Sequence, residues 1–410
     1  MKLSKRVLAL AESETLAVTA KAAAMRAAGI DVISFGAGEP DFDTPENVKE
    51  AAIKALREGQ TKYPKPAAGI PAARQAVCTK LERENGLTYT PNQVIITTGG
   101  KMACTMVVHA LINPGDEVII PVPYWVSYPE FVRLAGGKPV FVRGDEERDF
   151  KITPEQLAAA ITPRTRMLIF NSPSNPGGFT YTPDEVRALA AVTAGKDIAV
   201  LADEIYDRLV YGDQRPLSFA ACSPEAYAQT LTLNGGSKTY AMTGWRVGYV
   251  AAPEPVIKAL SKLQSQGTSG VCTFVQYGLI EALTGPQDEV ERMRQAFAQR
   301  GAHIHQRLTA MPGVTCCPPT GAFYVFPNVS GTYARLGVTT SGEFTAKVLE
   351  ETGVAVVPGG AFGSDQHVRL SFACGMEQID EGMNRLEKLL KGAAATSRSA
   401  PPAEPASARR

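Results

Sequence analysis

The chain has 410 residues, 44% hydrophobic and 20% charged, with a formal net charge of +1. That length buries a sizeable core and suits two domains, and so small a net charge excludes a broad cationic field for nucleic acid or membrane. Charged ligands must then be held by locally placed residues, which favours small-molecule chemistry.

From the N-terminus, the stretch MKLSKRVLALAESE carries neither a long apolar segment nor a small-residue cleavage site, and no later run is apolar enough to span a bilayer. A cytoplasmic location is expected, with no membrane partner. Short β-branched runs then predict buried strands: VIIT at 94–97, EVIIP at 117–121, PVFV at 139–142, MLIF at 167–170, IAVLA at 198–202, LTLN at 231–234 and VGYV at 247–250. Helix signals fall between most of them, such as the Pro183, Asp184, Glu185 start before VRALAAV and the stretch PEPVIKALSKL from Pro253. Strand and helix in alternation predict an α/β fold with a largely parallel sheet covered on both faces, and ligands belong at the carboxyl ends of its strands.

Further on, 287–308 reads as one long helix, followed by short strands in GAFYVFP, VAVVPG and HVRLSF that suit a smaller α+β domain. In HVRLSF the two-residue period sets Val368, Leu370 and Phe372 on one face and His367, Arg369 and Ser371 on the other. Met376, Ile379, Met383, Leu386 and Leu390 recur at helical spacing and predict a closing helix ending near Gly392. The expected division is a large domain over 46–290, a small domain from 1–45 and 291–391, and a disordered proline-rich tail over 392–410. Seven cysteines form no CxxC pair, and the adjacent Cys316 and Cys317 make poor bridge partners, so reduced thiols are expected, and no metal site.

Three stretches carry candidate chemistry. In NGGSKTYAMTGWRVGY, two glycines precede Ser237 and Lys238, so backbone approaches a ligand closely, and Arg246 offers forked donors for a phosphate. In isolation Lys238 and Arg246 read as solvated loop residues. In IAVLADEIYDRLVY, Asp203 ends a strand and Tyr206 follows; a carboxylate there suits a cationic partner such as a pyridinium nitrogen, the alternative being a helix N-cap. In TTGGKMAC, Gly99 and Gly100 open a helix whose N-terminus suits an anion, or make a plain tight turn.

Together, SKTYAMTGWRVGY, NSPSNPGG, ADEIY, PYWVSYPE and GAGEPDFDTP resemble the class I, fold-type I pyridoxal-phosphate aminotransferases, in particular the bacterial aspartate aminotransferase subgroup, from near Leu8 to about Leu390. The resemblance implies a mostly parallel seven-stranded sheet and the cofactor pyridoxal 5′-phosphate, held by Lys238 as an internal aldimine; the freed amine then moves the proton. Asp203 would pair with the pyridine nitrogen, Tyr206 and Asn175 with the 3′-oxygen, and Trp125 would stack on the ring. Ser237, Arg246 and the backbone amides of Gly100 and Lys101 would take the phosphate, with Tyr63 lent by the other subunit of a homodimer. Arg369, Asn175, Trp125 and the amide of Gly38 would meet the substrate at or near its α-carboxylate. Lys101, Ser13 and Thr15 would meet a distal carboxylate, with a helix residue contributing only its backbone as the alternative for Lys101.

The implied reaction is a ping-pong exchange, L-aspartate with 2-oxoglutarate giving oxaloacetate and L-glutamate. Gly236 and Gly177 stand where relatives usually carry larger residues, which suggests a slightly looser pocket. Two other readings are an aminotransferase for aromatic or other amino acids or prephenate, and a non-catalytic PLP-binding regulatory module. The second lacks a basic recognition helix ahead of the fold.

Overall fold

The computed structural model describes residues 1–8, 10–11, 14–213 and 216–392. In chain order its strands are β1 (Ile33–Ser34), β2 (Val94–Thr97), β3 (Glu117–Val122), β4 (Lys138–Arg143), β5 (Thr165–Asn171), β6 (Ala199–Asp203), β7 (Thr230–Gly235), β8 (Gly248–Ala251), β9 (Tyr324–Val325), β10 (Val354–Ala355), β11 (Val357–Pro358) and β12 (Val368–Ser371). All seven runs read as strands in the first part of the chain form one sheet, in the order β2-β8-β7-β6-β5-β3-β4. It is parallel except for β8, which runs antiparallel to both β2 and β7.

The two-residue period decides which core each strand side chain joins. On β3, β5 and β6, Val118, Ile120, Met167, Ile169 and Leu201 pack with Ala103, Cys104 and Val107 of the helix Gly99–Leu111 and with Ile257 and Leu260 of the helix Glu254–Gly267. Their chain neighbours Ile119, Leu168, Phe170, Val200 and Ala202 pack on the opposite face against Leu157, Val186, Leu189 and Phe219. Both faces are therefore dry, as uninterrupted apolar strands require.

The long helix Asp288–Thr309 and the closing helix Met376–Leu390 pack together, and β11-β12-β9 make a three-stranded antiparallel sheet. Here Arg369 pairs with Val357 and Ser371 with Tyr324. The β1 strand joins β10 in parallel, tying the N-terminal segment to this region. The expected tail lies, apart from Gly392, outside the described residues. All seven cysteines are free, and among the described residues no helix is long and apolar enough to cross a membrane.

Candidate active site

Side chains converge at the carboxyl ends of β5, β6 and β7. Asn171 and Asp203 end neighbouring strands in register. Asn171 donates through Nδ2 to the Asp203 carbonyl at 2.9 Å and accepts from the Asn175 amide at 2.9 Å, which fixes the NSPSNPGG loop beside β6. The Asp203 carboxylate is buried; it accepts from the Tyr128 hydroxyl at 2.7 Å and the Ile205 amide at 3.3 Å. Burial pushes its pKa up and those two hydrogen bonds oppose the rise. A carboxylate has about four acceptor positions, so this one retains capacity for a buried cationic donor. Trp125 stands edge-on to Tyr128, ring centroids 5.3 Å apart.

Lys238 follows the end of β7. Its side chain is half-buried, its ammonium donates to the Gly38 carbonyl, and Nζ lies 5.7 Å from the centroid of the Phe323 ring. Burial pushes its pKa down to about 8; Arg369 and Arg246 act in the same direction, and Glu39 and Asp203 against it. A lysine so placed loses its proton far more readily near neutral pH than a free one, which favours its acting as nucleophile or base.

An anion cradle adjoins it. The helix Gly99–Leu111 begins beneath the Arg246 guanidinium, and a Cβ on Gly99 would sit 2.7 Å from Arg246 Nη2, so the glycine is what admits the arginine. Gly248 on β8 faces the same point; a Cβ there would lie 2.9 Å from the Gly100 amide nitrogen. Arg246 itself adopts φ of 55°, a left-handed conformation rare for a side-chain-bearing residue and of the kind that clusters at functional sites. Ser237 is buried, and Thr98, at the cap position of the helix, keeps a buried Oγ1 with no hydrogen-bond partner. Helix start, guanidinium and hydroxyls together suit a phosphate.

On the other side stands Arg369, only 2% exposed. Its Nη1 donates to Asn175 Oδ1 at 3.2 Å and its Nη2 to the Gly36 carbonyl at 2.9 Å, while its guanidinium lies over the rings of Tyr324 at 4.6 Å and Phe362 at 5.1 Å. Nε is buried without a partner, and none of the described ion pairs includes this arginine. A buried cation held only by neutral groups is costly unless it awaits an anion.

The structure thus gathers Lys238, Asp203, Asn175, Arg369 and Gly38 through direct contacts or charge interactions, and Gly100 and Arg246 at the adjoining cradle, with Ser237 buried next to Lys238 in the chain. Tyr206 is buried with its hydroxyl 3.1 Å from that of Tyr324. Lys101 reaches over the Trp125 ring, Nζ 5.0 Å from its centroid, and burial with the nearby Arg246 lowers its pKa. Thr15 lies in the first turn of the helix Glu14–Ala27, and Ser13 falls outside the described residues. Tyr63 is 78% exposed, in a loop whose Lys62 carbonyl accepts from Thr273 Oγ1.

Sequence reasoning passed over Tyr128, Tyr324, Thr98 and Glu39, which accepts from Thr243 Oγ1 at 2.7 Å. Tyr128 was open to detection, three residues beyond Trp125 in PYWVSYPE. The looser pocket expected from Gly236 and Gly177 is corrected by their neighbours. A Cβ on Gly236 would lie 2.7 Å from Met242 Sδ, and one on Gly177 would lie 2.4 Å from the Phe179 ring. Both Met242 and Phe179 are buried and fill the space.

The model of the family "Aminotransferase class I and II" matches residues 30–386. The chain belongs to this family. An aspartate aminotransferase of Geobacillus stearothermophilus is 50% identical over 96% of this chain and 100% of its own. An aspartate/prephenate aminotransferase of Cereibacter sphaeroides is 48% identical, over 95% of this chain and 99% of its own. Among solved structures, the aspartate aminotransferase from Thermus thermophilus with maleate superposes with a TM-score of 0.90 at 44% identity, covering 95% of this chain and 100% of that one. The family's cofactor is pyridoxal phosphate, and the residues present fit it: a half-buried amine of lowered pKa, a buried carboxylate with acceptor capacity left, and an anion cradle with an unpartnered hydroxyl at its rim.

Proposed function

We propose that this aminotransferase exchanges the amino groups of L-aspartate and L-glutamate with their 2-oxo acids, one half-reaction at a time, with Lys238 as its catalytic base. Bound pyridoxal phosphate supplies a carbonyl that condenses with amines and a ring that withdraws electrons from the substrate's Cα. The observation that carries the reading is Arg369: a buried guanidinium without an anionic partner, in the same cleft as a half-buried lysine whose pKa is lowered. Its fork binds the substrate's α-carboxylate, with Asn175 and the Gly38 amide beside it, and so sets Cα within reach of Lys238 Nζ. Neutral Lys238 then takes the Cα proton and, as its ammonium, would give it back two bonds away, on the far side of the substrate nitrogen.

Asp203, supported by Tyr128, holds positive charge on the ring nitrogen, while Tyr206 and Asn175 serve the 3′-oxygen and Trp125 covers the ring. Ser237, Arg246 and the amides of Gly100 and Lys101 fix the phosphate, and the exposed Tyr63 completes it in the partner of a homodimer. The cofactor-binding body is 46–290, which contains all seven strands of the large sheet, and the rest of 1–391 makes the smaller domain. A cytoplasmic location fits this metabolic role.

Dicarboxylate choice falls to Lys101 with Thr15 and Ser13. The aspartate aminotransferase name of the Geobacillus relative and the maleate in the Thermus structure support it. A second reading, prephenate as an additional oxo acceptor, is favoured by the name of the Cereibacter relative. The test is direct: aspartate alone should bleach the visible absorption of the holoenzyme, and 2-oxoglutarate or prephenate should restore it. Absence of bleaching with aspartate rejects the reading.

A further inference from the structure

On the side of the site formed by the smaller domain, one ring touches Tyr206, Arg369 and the Gly38 and NPGG loops. Tyr324, on β9, is 1% exposed, and its hydroxyl lies 3.1 Å from that of Tyr206. Its face carries the Arg369 guanidinium at 4.6 Å. A Cβ on Gly38 would stand 3.6 Å from its Oη, so the glycine loop that receives Lys238 lies directly against it. Its carbonyl abuts the NPGG loop, where a Cβ on Gly178 would collide with it at 2.2 Å.

Either hydroxyl can donate in this contact, and the proton inventory decides between them once Tyr206 gives its own proton to the 3′-oxygen of the cofactor, as in the reading above. Each phenol has one proton. With the Tyr206 proton directed to the cofactor, the Tyr324 proton is the one left to bridge the two oxygens. A Tyr206 that accepts this proton keeps its own free to donate elsewhere, and accepting strengthens that donation, because hydrogen bonds in a chain polarise one another.

We propose that Tyr324 is a positioning residue that donates to Tyr206 and thereby makes Tyr206 the stronger proton donor to the 3′-oxygen of the cofactor. This rests on the assignment of Tyr206 to that oxygen in the reading above. A donor at the 3′-oxygen stabilises its negative charge, and the effect is greatest after the adjoining nitrogen has lost its proton, so it lowers the pH at which the bound cofactor titrates. The charged and titratable groups around this pair are Arg369 and Asp203 at Tyr206, Arg369 at Tyr324, and Glu39, Arg369, Arg246 and Asp203 at Lys238. All of them are retained in a Tyr324→Phe protein.

The experiment is a pH titration of the visible spectrum of holoenzyme reconstituted with pyridoxal phosphate, for the wild type, Tyr324→Phe, Tyr206→Phe and the double variant. In Tyr324→Phe the midpoint should rise by roughly half to one pH unit. In the Tyr206→Phe background the second substitution should add nothing, since its effect runs through the missing hydroxyl. An unmoved midpoint in Tyr324→Phe, or an equal rise with Tyr206 already removed, overturns the proposal. A wild type without a visible band on adding the cofactor would overturn the underlying reading instead, so the two failures are distinct.

Discussion

The Tyr128 hydroxyl donates to Asp203 Oδ2 at 2.7 Å, inside a site where both residues are buried. Burial pushes the Asp203 carboxyl up, and this donor is the main interaction holding it down. Removing it in Tyr128→Phe leaves the carboxylate less able to hold positive charge on the ring nitrogen. A hydrogen bond to a charged group contributes about 1.5–3 kcal/mol, so affinity of the apoenzyme for pyridoxal phosphate should fall roughly ten- to a hundredfold. Spectrophotometric titration of the apoenzyme measures this; affinity equal to wild type would show that Asp203 needs no such support.

Lys238 gives a pH prediction with a definite sign. Its pKa is about 8 in the folded chain against 10.5 for a free lysine side chain, with burial the largest cause. Between those values the unfolded chain binds more protons than the native one, so this group makes apoenzyme stability rise with pH from about 8 to about 10.5. Below about 8 its full penalty is present. Lys238→Met removes the titrating group, so the difference in urea midpoint between variant and wild type should favour the variant at pH 7 and shrink as pH rises through this window. A constant difference over pH 7–10.5 would contradict the lowered pKa.

How much of this was legible in the chain depends on the range of the signal. Apolar runs such as VIIT and MLIF announce dry strands because both faces are covered, and each lies within a strand of the large sheet. Asp203 stood out because a carboxylate at the end of an apolar strand is costly without a partner, whereas Lys238 read as a solvated loop residue in isolation and, like Arg369, took its role from the resemblance of the motifs together. The reversal of β8 was not legible, since strand direction depends on a tertiary path and leaves no local pattern. Tyr324 was hidden for a related reason. In GAFYVFP it reads as one more apolar strand residue, and its contacts lie at Tyr206, Arg369 and Gly38, all distant in sequence. Gly236 and Gly177 misled for want of their packing partners, Met242 and Phe179.

Behind the Asp203 loop, Lys80 is 2% exposed and pairs with Asp207, with Glu84 at 3.6 Å and Arg208 reaching Glu84 at 2.9 Å. Lys80→Met would leave Asp207 without its direct cationic partner in a largely buried site, while Glu84 keeps Arg83 and Arg208. Removing one partner of a buried pair costs about 3–5 kcal/mol, and that loss should appear as a lowered urea midpoint. Restoration by Lys80→Met combined with Asp207→Asn would assign the cost to the stranded charge; a single variant within about 0.5 kcal/mol of wild type, the range of an ordinary surface change, would rule it out.

Lys101 lies over Trp125 with its pKa lowered by burial and by Arg246, a placement suited to meeting a second carboxylate at the outer end of the substrate. Lys101→Ala should reduce kcat/KM for aspartate by roughly tenfold, the size of one charge-assisted contact, while leaving alanine nearly unchanged. An unaltered ratio between the two donors would place dicarboxylate selection elsewhere.

Arg369 should give the opposite pattern. Its fork reaches Asn175 and the Gly36 carbonyl at once, and a lysine, a point charge on a flexible stem, cannot reproduce that planar geometry. Every amino donor and every 2-oxo acid carries a carboxylate next to the reacting carbon, so Arg369→Lys removes a contact common to all of them. kcat/KM should fall roughly ten- to a hundredfold for aspartate, alanine and 2-oxoglutarate alike. The aspartate-to-alanine ratio, which Lys101→Ala changes, should then stay fixed. If Arg369→Lys instead changed that ratio while sparing alanine, the guanidinium would be reading the side chain, and the α-carboxylate would have to bind at another group.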